Sequence, residues 1–309
     1  MRFHLALLSM CLLLEGCVSF SDQCVQGVVT DASMNTVTVQ SHDSKSMLFS
    51  TLKADKSGLS GLMLGDYLKV CYAGRYEEGV DAKSVQTVLK ADEYQKVRWF
   101  NEGIRLQAIK DSNQALYVLF SSDQSRASLF FPRQKKVQIL ERRTLPSGDF
   151  VWNQLDDDTF SLRQKDGVWI ISRRGALLYK EPQVDADQSL GVWLTEQYEG
   201  VLPAADCPGI RYQLTLKHRA HSGDGYFLLL TTYLEAENGR DAMFAYTGRR
   251  LTQRGSVQNP DATVWQLVSD TDRSVWNFEV RSQGQTLQLL TQQFEEISSN
   301  LSYELKKLK

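Results

Sequence analysis

The chain alternates apolar and polar residues in short runs, and turn-forming residues separate these runs. Between residues 24 and 90 one or two helical turns are expected over 57–64 (SGLSGLML), after the third of five predicted strands. Five strands with a helix after the third is the order of an OB-fold, and another small β domain is equally compatible with the pattern. The five predicted strands are Cys24–Thr30, Thr36–Ser41, Ser46–Leu52, Asp66–Tyr72 and Ala82–Leu89.

A second block of alternating segments runs from Arg98 to about Tyr179 and predicts an antiparallel barrel or sandwich. The charged segment 91–97 (ADEYQKV) is interpreted as a connector before this block, and the polar segment 181–189 (EPQVDADQS) as a linker after it. Six strands are predicted in the block: Ile104–Ile109, Ala115–Phe120, Ala127–Phe131, Lys136–Leu140, Thr159–Arg163 and Val168–Ser172.

A third block of alternating segments follows the linker and runs to the end of the sequence. The pattern as a whole predicts an all-β fold class, in which an N-terminal OB-like barrel precedes two small antiparallel β-barrel or sandwich domains. The expected domain ranges are 17–91, 98–180 and 190–309.

The first residues have the pattern of an export signal. The apolar run Leu5–Leu14 follows Arg2 and is too short for a permanent membrane helix, so residues 1–16 are interpreted as a signal peptide. The run ends in Leu-Glu-Gly before Cys17, which resembles the lipobox of bacterial lipoproteins. That resemblance implies that Cys17 receives a lipid, and the alternative is an ordinary signal peptide in which this cysteine is incidental.

The resemblance to lipoproteins also implies a location and a partner. The residue after the modified cysteine is Val18, whereas lipoproteins retained in the inner membrane usually carry Asp there. We therefore expect a protein anchored to the outer membrane, facing the periplasm or the cell surface, with the lipid bilayer as its partner through the acylated N-terminus. An exported protein is also permitted disulfides, and we predict one between Cys24 and Cys71, which an OB-fold would place on adjacent strands.

Composition excludes several classes of function. The chain of 309 residues has 35 Lys and Arg against 37 Asp and Glu, so its weak net charge of -2 argues against nucleic acid as a partner. Four histidines, without a Cys-His arrangement or a Gly-x-Ser-x-Gly motif, leave nucleophilic catalysis without its usual residues. His218 and His221 lie beside a predicted hairpin turn at 222–225 (SGDG) and are interpreted as exposed turn residues rather than metal ligands. We predict a protein that is not an enzyme and binds no cofactor or metal.

The middle block loosely resembles the MliC-like periplasmic inhibitors of C-type lysozyme. In that family a Ser-Gly loop precedes an aromatic strand, and the serine enters the catalytic cleft of the lysozyme. The matching residues here are Ser147 and Gly148, followed by Phe150 and Trp152, although the cysteines of the family are missing and the aromatic spacing differs. The alternative is that this Ser-Gly pair simply forms a turn.

The segment 198–210 (YEGVLPAADCPGI) resembles the signature of the NlpE family of outer-membrane lipoproteins. Members of that family show Tyr-x-Gly-x-Leu-Pro-Cys-Ala-Asp-Cys-x-Gly-Ile, followed by a Leu-Thr-Leu strand, which matches residues 214–216. We expect the segment to form a loop across the mouth of a small barrel, with the two glycines permitting close approaches and Asp206 accepting backbone hydrogen bonds. The motif residues of this chain are Tyr198, Gly200, Leu202, Pro203, Asp206, Cys207 and Gly209.

The chain departs from the NlpE signature at Ala204, which replaces the first cysteine of a Cys-x-x-Cys pair. The resemblance implies envelope-stress or copper-related sensing, with a periplasmic or envelope protein as a partner. The substitution leaves one thiol at Cys207, which is a poor site for a soft metal, so a buried and unreactive thiol is expected there. Two other hypotheses are inhibition of C-type lysozyme through the middle domain and small-ligand binding inside a barrel.

Overall fold

The computed structural model describes residues 22–59, 61–182, 185, 187–237 and 239–309. Its strands close into three barrels, which follow one another along the chain, and the prediction of an all-β fold class is confirmed. Within the described residues, no helix has the length and apolar character that a membrane crossing requires.

The first barrel has five strands in the closed order β1-β2-β3-β5-β4, with β3 and β5 parallel. This is the strand order of an OB-fold. Its interior is filled by alternate side chains, including Val37, Phe49 and Val70, because successive residues of a strand point to opposite faces. Its strands are β1 (Asp22–Ala32), β2 (Thr36–Ser41), β3 (Ser46–Ser50), β4 (Tyr67–Ala73) and β5 (Val80–Leu89).

The helical turns predicted over 57–64 are wrong for the residues that are described in this segment. Turns replace them, and the chain is held by an isolated bridge between Asp55 and Ser84 and by a hydrogen bond from the Thr87 N–H to the Gly58 carbonyl. Two glycines within the eight-residue stretch disfavour helix, so pairing with β5 prevails.

The predicted connector over 91–97 is also wrong, because a helix, α1 (Ala91–Glu102), occupies this stretch. Asp92 and Glu93 lie in its first turn, where carboxylates interact favourably with the helix dipole. Trp99 is buried against Tyr117 of the second barrel, with ring centroids 5.2 Å apart. The helix therefore depends on tertiary packing more than on an apolar stripe of its own.

The second barrel has eight antiparallel strands and includes two strands that were absent from the six predicted ones, β10 and β13. Its core contains Leu106, Leu129, Trp152, Leu162 and Ile171. The strands are β6 (Ile104–Ala108), β7 (Ala115–Phe120), β8 (Arg126–Phe131), β9 (Lys136–Thr144), β10 (Phe150–Gln154), β11 (Asp157–Lys165), β12 (Val168–Arg173) and β13 (Ala176–Lys180).

The third barrel also has eight antiparallel strands, and β14 closes it by pairing with β21. Together with α1 and the second barrel it belongs to one compact unit that covers residues 65–67 and 88–309. The remaining described residues, 22–59, 61–64 and 68–87, form a separate unit. The strands are β14 (Trp193–Leu202), β15 (Ile210–Arg219), β16 (Gly225–Glu237), β17 (Arg240–Arg254), β18 (Thr263–Ser269), β19 (Val275–Arg281), β20 (Thr286–Leu290) and β21 (Glu304–Lys307).

Candidate functional site

The segment 198–210 joins two neighbouring strands of the third barrel. Residues 198–202 complete β14 and residue 210 begins β15, and the two strands pair up to Leu202 and Ile210. Only residues 203–209 lie outside the ladder, so the expected loop across the barrel mouth is replaced by a short connection at one end of the barrel. The strand alternation of 198–202 explains the difference, since Tyr198 and Leu202 point inward to the core.

Tyr198 anchors the start of this segment inside the barrel. Its side chain is buried, its hydroxyl donates to the Gly284 carbonyl at 2.9 Å, and its ring meets Trp265 edge-on with centroids 6.1 Å apart. Burial, with the nearby Glu196 carboxylate, raises the pKa of the Tyr198 hydroxyl, so the group stays neutral at physiological pH. A tyrosine at this position therefore ties β14 to the turn before β20 and has a structural role.

The two motif glycines lie at close approaches of the backbone. A Cβ atom on Gly200 would lie 2.4 Å from the Glu304 carbonyl oxygen, which belongs to the strand that closes the barrel. A Cβ atom on Gly209 would lie 2.8 Å from the Val201 side chain. Gly200 thus lets the closing strand approach β14, and Gly209 lets the start of β15 approach the end of β14, so packing accounts for both glycines.

Cys207 lies in the connection between β14 and β15 and is half-buried, not fully buried as expected. Its thiol donates to the Gly209 carbonyl oxygen at 3.3 Å. Asp206 is exposed, and the hydrogen bonds of the described residues include none to its carboxylate, so its expected backbone-capping role is not observed.

The connection does not fit a copper ion. Ala204 offers no ligand beside Cys207, and the described part of the chain contains no group of three or more His, Cys, Asp or Glu side chains placed to hold a metal. Cu(I) requires at least a second soft donor.

The same end of the barrel carries a group of aromatic side chains that the sequence did not single out. Trp276 lies edge-on to Tyr246 at 4.9 Å and to Phe227 at 6.1 Å, and Phe244 lies edge-on to Tyr233 at 5.7 Å. Trp276 comes from β19, 30 residues after Tyr246 and 49 after Phe227, and alternation alone gives no reason to bring it together with them. Among the described residues, the middle of the barrel is filled by fully buried side chains, including Leu214, Leu229 and Phe278.

Ser147 and Gly148 lie at the tip of the β9–β10 hairpin. The Ser147 hydroxyl donates to the Asp149 carboxylate at 2.8 Å, and Gly148 adopts a positive φ of 90°. Two backbone hydrogen bonds between Leu145 and the residues that follow it close the turn. All residues of 141–150 are exposed, including Phe150 at 48%. The tip is therefore a well-defined protrusion.

The remaining candidate residues are placed as follows. A disulfide joins Cys24 and Cys71, whose Cα atoms are 4.1 Å apart on the neighbouring strands β1 and β4. Cys17 lies outside the described residues. The expectation of two exposed turn histidines is wrong for His218, which lies on β15 and faces Glu196 with 3.5 Å between its Nε2 atom and the carboxylate. His218 is half-buried because it belongs to the β15 ladder, where it pairs with Leu194 of β14 and Gly225 of β16.

The geometry defines a class: an all-β protein whose last third is a small closed barrel, with the 198–210 motif securing the closing strand. Residues 198–300 of this barrel match the model of the NlpE N-terminal domain. The family match covers one third of the chain and includes the motif segment. Comparison with curated proteins and with solved structures found no match.

Proposed function

We propose that this protein is a non-enzymatic envelope lipoprotein of the NlpE type, which senses envelope stress by binding a periplasmic or envelope protein partner. The observation that carries the proposal is the match of the third barrel to the NlpE N-terminal domain, together with the close approaches at Gly200 and Gly209. The lipobox-like sequence at Cys17 supports attachment to the outer membrane, and the Cys24–Cys71 disulfide supports an oxidising compartment such as the periplasm.

The chain would act through position and contact rather than chemistry. A lipid on Cys17 would fix the protein at the membrane, and the barrels would present a surface to the partner when trafficking fails. Copper-related behaviour would require ligands from another molecule, because Cys207 is a single soft donor.

The test is expression of the full chain in a Gram-negative host that carries a reporter fused to an envelope-stress promoter. We expect induction by the wild-type chain, and a change in induction for Cys17→Ser, which cannot be lipidated. Cys207→Ser is the matched control and should induce like the wild type, with or without added copper. No induction by the wild-type chain at verified export and expression would refute the proposed function.

A second candidate function is inhibition of C-type lysozyme through the second barrel. The exposed and hydrogen-bonded hairpin tip at Ser147 favours it, because an inhibitory loop must protrude and hold its shape. The test is a lysozyme activity assay with protein that begins after Cys17. Stoichiometric inhibition that is lost in Ser147→Ala and kept in Ser121→Ala, a serine with the same contact to an Asp two residues later, would support inhibition. Full lysozyme activity at a large molar excess of the chain would exclude it.

A further inference from the structure

The strand β17 is longer than its neighbour β18, and part of its edge pairs with no strand of the described residues. It pairs with β16 from Arg240 to Arg250, but with β18 only from Gly248 onward. Within the described residues, the stretch from 241 to 247 therefore has a strand on one side alone. An unpaired edge presents free backbone N–H and C=O groups, and most proteins cover such an edge.

Two contacts show which backbone groups point to this open side. The Ala245 N–H donates to the Glu93 carboxylate of α1 at 2.5 Å, and the Thr247 carbonyl accepts from the Asp270 N–H at 2.9 Å. Backbone groups of residues two apart in a strand point the same way, so those of Met243 also face outward. Outside the β16–β17 ladder, the hydrogen bonds of the described residues include none to Met243.

We propose that the segment Asp241–Ala245, called the β17 edge below, binds an extended segment of another protein by strand addition. The inference rests on the proposed function, since it names the surface of the NlpE-like barrel that a protein partner would contact. Strand addition supplies affinity through main-chain hydrogen bonds and specificity through alternate side chains. The five residues span about 16 Å, and because the Ala245 N–H already donates to Glu93, the outward groups of Asp241 and Met243 would carry the hydrogen bonds to one short strand.

The Glu93 carboxylate already occupies one position of this edge. It takes the place that a carbonyl of a neighbouring strand would take at Ala245, and Lys96 pairs with it at 2.9 Å. Helix α1 therefore limits the edge at one end. The next outward backbone groups toward the hairpin tip are those of Met243 and Asp241, on the same side of β17 as the Ala245 N–H.

Charge at the other end favours a basic residue in the partner. The exposed carboxylates of Glu235, Glu237 and Asp241 lie near the tip of the β16–β17 hairpin, with Arg240 as the nearby cation. Phe244, 40% exposed, adds an apolar contact beside the edge. A fitting segment is thus extended and part apolar, with Lys or Arg at the end that reaches the hairpin tip.

The test uses the full chain and a phage-displayed library of random heptapeptides as the probe. Met243→Pro removes the outward N–H without breaking the β16–β17 ladder, whereas Met243→Ala keeps it. We expect selected peptides to carry Lys or Arg near one end, to bind Met243→Ala within about twofold of wild type, and to lose at least tenfold against Met243→Pro. Glu237→Gln should weaken binding about threefold at low salt.

Peptides that bind Met243→Pro as tightly as Met243→Ala, or failure to select any peptide above background, would overturn the proposal. A second measurement leaves the protein unchanged and uses a selected peptide that is N-methylated at either its odd or its even residues. Only one of these two peptides should lose binding, because every second amide of an added strand points to the protein. The stress reporter distinguishes failure of this inference from failure of the proposed function. Equal induction by the wild type and by Met243→Pro refutes binding at the β17 edge. No induction by the wild type refutes the proposed function itself.

Discussion

Arg105 on β6 and Asp270 after β18 form a bidentate salt bridge between the second and third barrels. The Nε–Oδ2 distance is 2.8 Å and the Nη2–Oδ1 distance is 2.9 Å, and both side chains are only 4% exposed. The Tyr117 hydroxyl donates to the same carboxylate at 2.7 Å. A buried pair with this geometry fixes the relative position of the two barrels, because either charge alone would be costly to bury.

Replacing Arg105 with Met should destabilise the unit of α1 and the two larger barrels by about 3–5 kcal/mol, because Asp270 would keep a buried charge without its partner. The double variant Arg105→Met with Asp270→Asn should recover part of this loss, since Asn keeps an acceptor for Tyr117. Urea unfolding followed by tryptophan fluorescence measures both values. The control is Arg98→Ala, which breaks an exposed pair with Glu102 and should change the free energy of unfolding by less than about 1 kcal/mol. Equal effects for Arg105 and Arg98 would contradict the prediction.

Asp185 makes stability depend on pH. Burial, with the nearby Glu181 carboxylate, raises the pKa of Asp185 to about 6, although the Tyr226 hydroxyl donates to it at 2.7 Å. A carboxyl group with a raised pKa in the folded state binds protons more tightly when folded, so its stabilising effect is present at acid pH and is lost as pH rises from about 4 through 6.

Asp185→Asn should therefore raise the melting temperature at pH 7.5 and remove the part of the pH dependence that lies between pH 4 and 6. Thermal unfolding across this range is the measurement. Asp187→Asn is the matched control, because the pKa of Asp187 is lowered by hydrogen bonds from Ser189 and its effect has the opposite sign. The prediction fails if the wild type and Asp185→Asn show the same pH profile.

The disulfide should stabilise the first barrel specifically. Cys24 and Cys71 are 47 residues apart, so their bond restricts a long loop in the unfolded chain and contributes about 2–4 kcal/mol. The pair of substitutions Cys24→Ser and Cys71→Ser should lower the midpoint of unfolding of this barrel, and hydrogen exchange of β1 to β5 would show it. Cys207→Ser should leave the same amides unchanged. Faster exchange across β14 to β21 in the double variant would argue against a local effect.

Gly200→Ala should disturb the closing strand β21, because its Cβ atom would lie 2.4 Å from the Glu304 carbonyl oxygen. We expect a loss of at least about 2 kcal/mol, comparable to other cases of overpacking. Gly223→Ala is the control, since its Cβ atom would meet only the Thr252 side chain at 3.3 Å. Urea unfolding of both variants checks the expectation, which would be wrong if they were equally stable.

The sequence predicts strands well where alternation is bounded by turn residues. The boundaries of β2 and β7 agree with the expected ones, because polar turns flank both segments. By contrast, β13 (ALLYK) has a continuous apolar run without alternation, and α1 has a charged sequence whose helix is stabilised by the contact of Trp99 with Tyr117. Local pattern carries no information on such a contact.

In the candidate site, too, the local motif could be predicted from the sequence and the tertiary contacts could not. The signature around Tyr198 and Gly200 was recognisable as a motif, but its cause, the carbonyl oxygen of Glu304, lies about a hundred residues away in the chain. The β17 edge depends on where β18 ends, at the pair of Ser269 with Gly248, and the pair of Arg105 and Asp270 spans 165 residues. Only the folded arrangement reveals these relationships.

The ion pair also determines where the chain can be cut to give a fragment that keeps its buried contacts. A gene fragment that encodes only residues 190–309 would contain the whole region that matches the family, yet it would leave Asp270 and the Ala245 N–H without Arg105 and Glu93. The region that matches the family and the compact unit that contains it thus have different boundaries in this chain. A fragment designed for expression or for transplantation should begin near residue 88, where the larger unit begins, rather than at the family boundary.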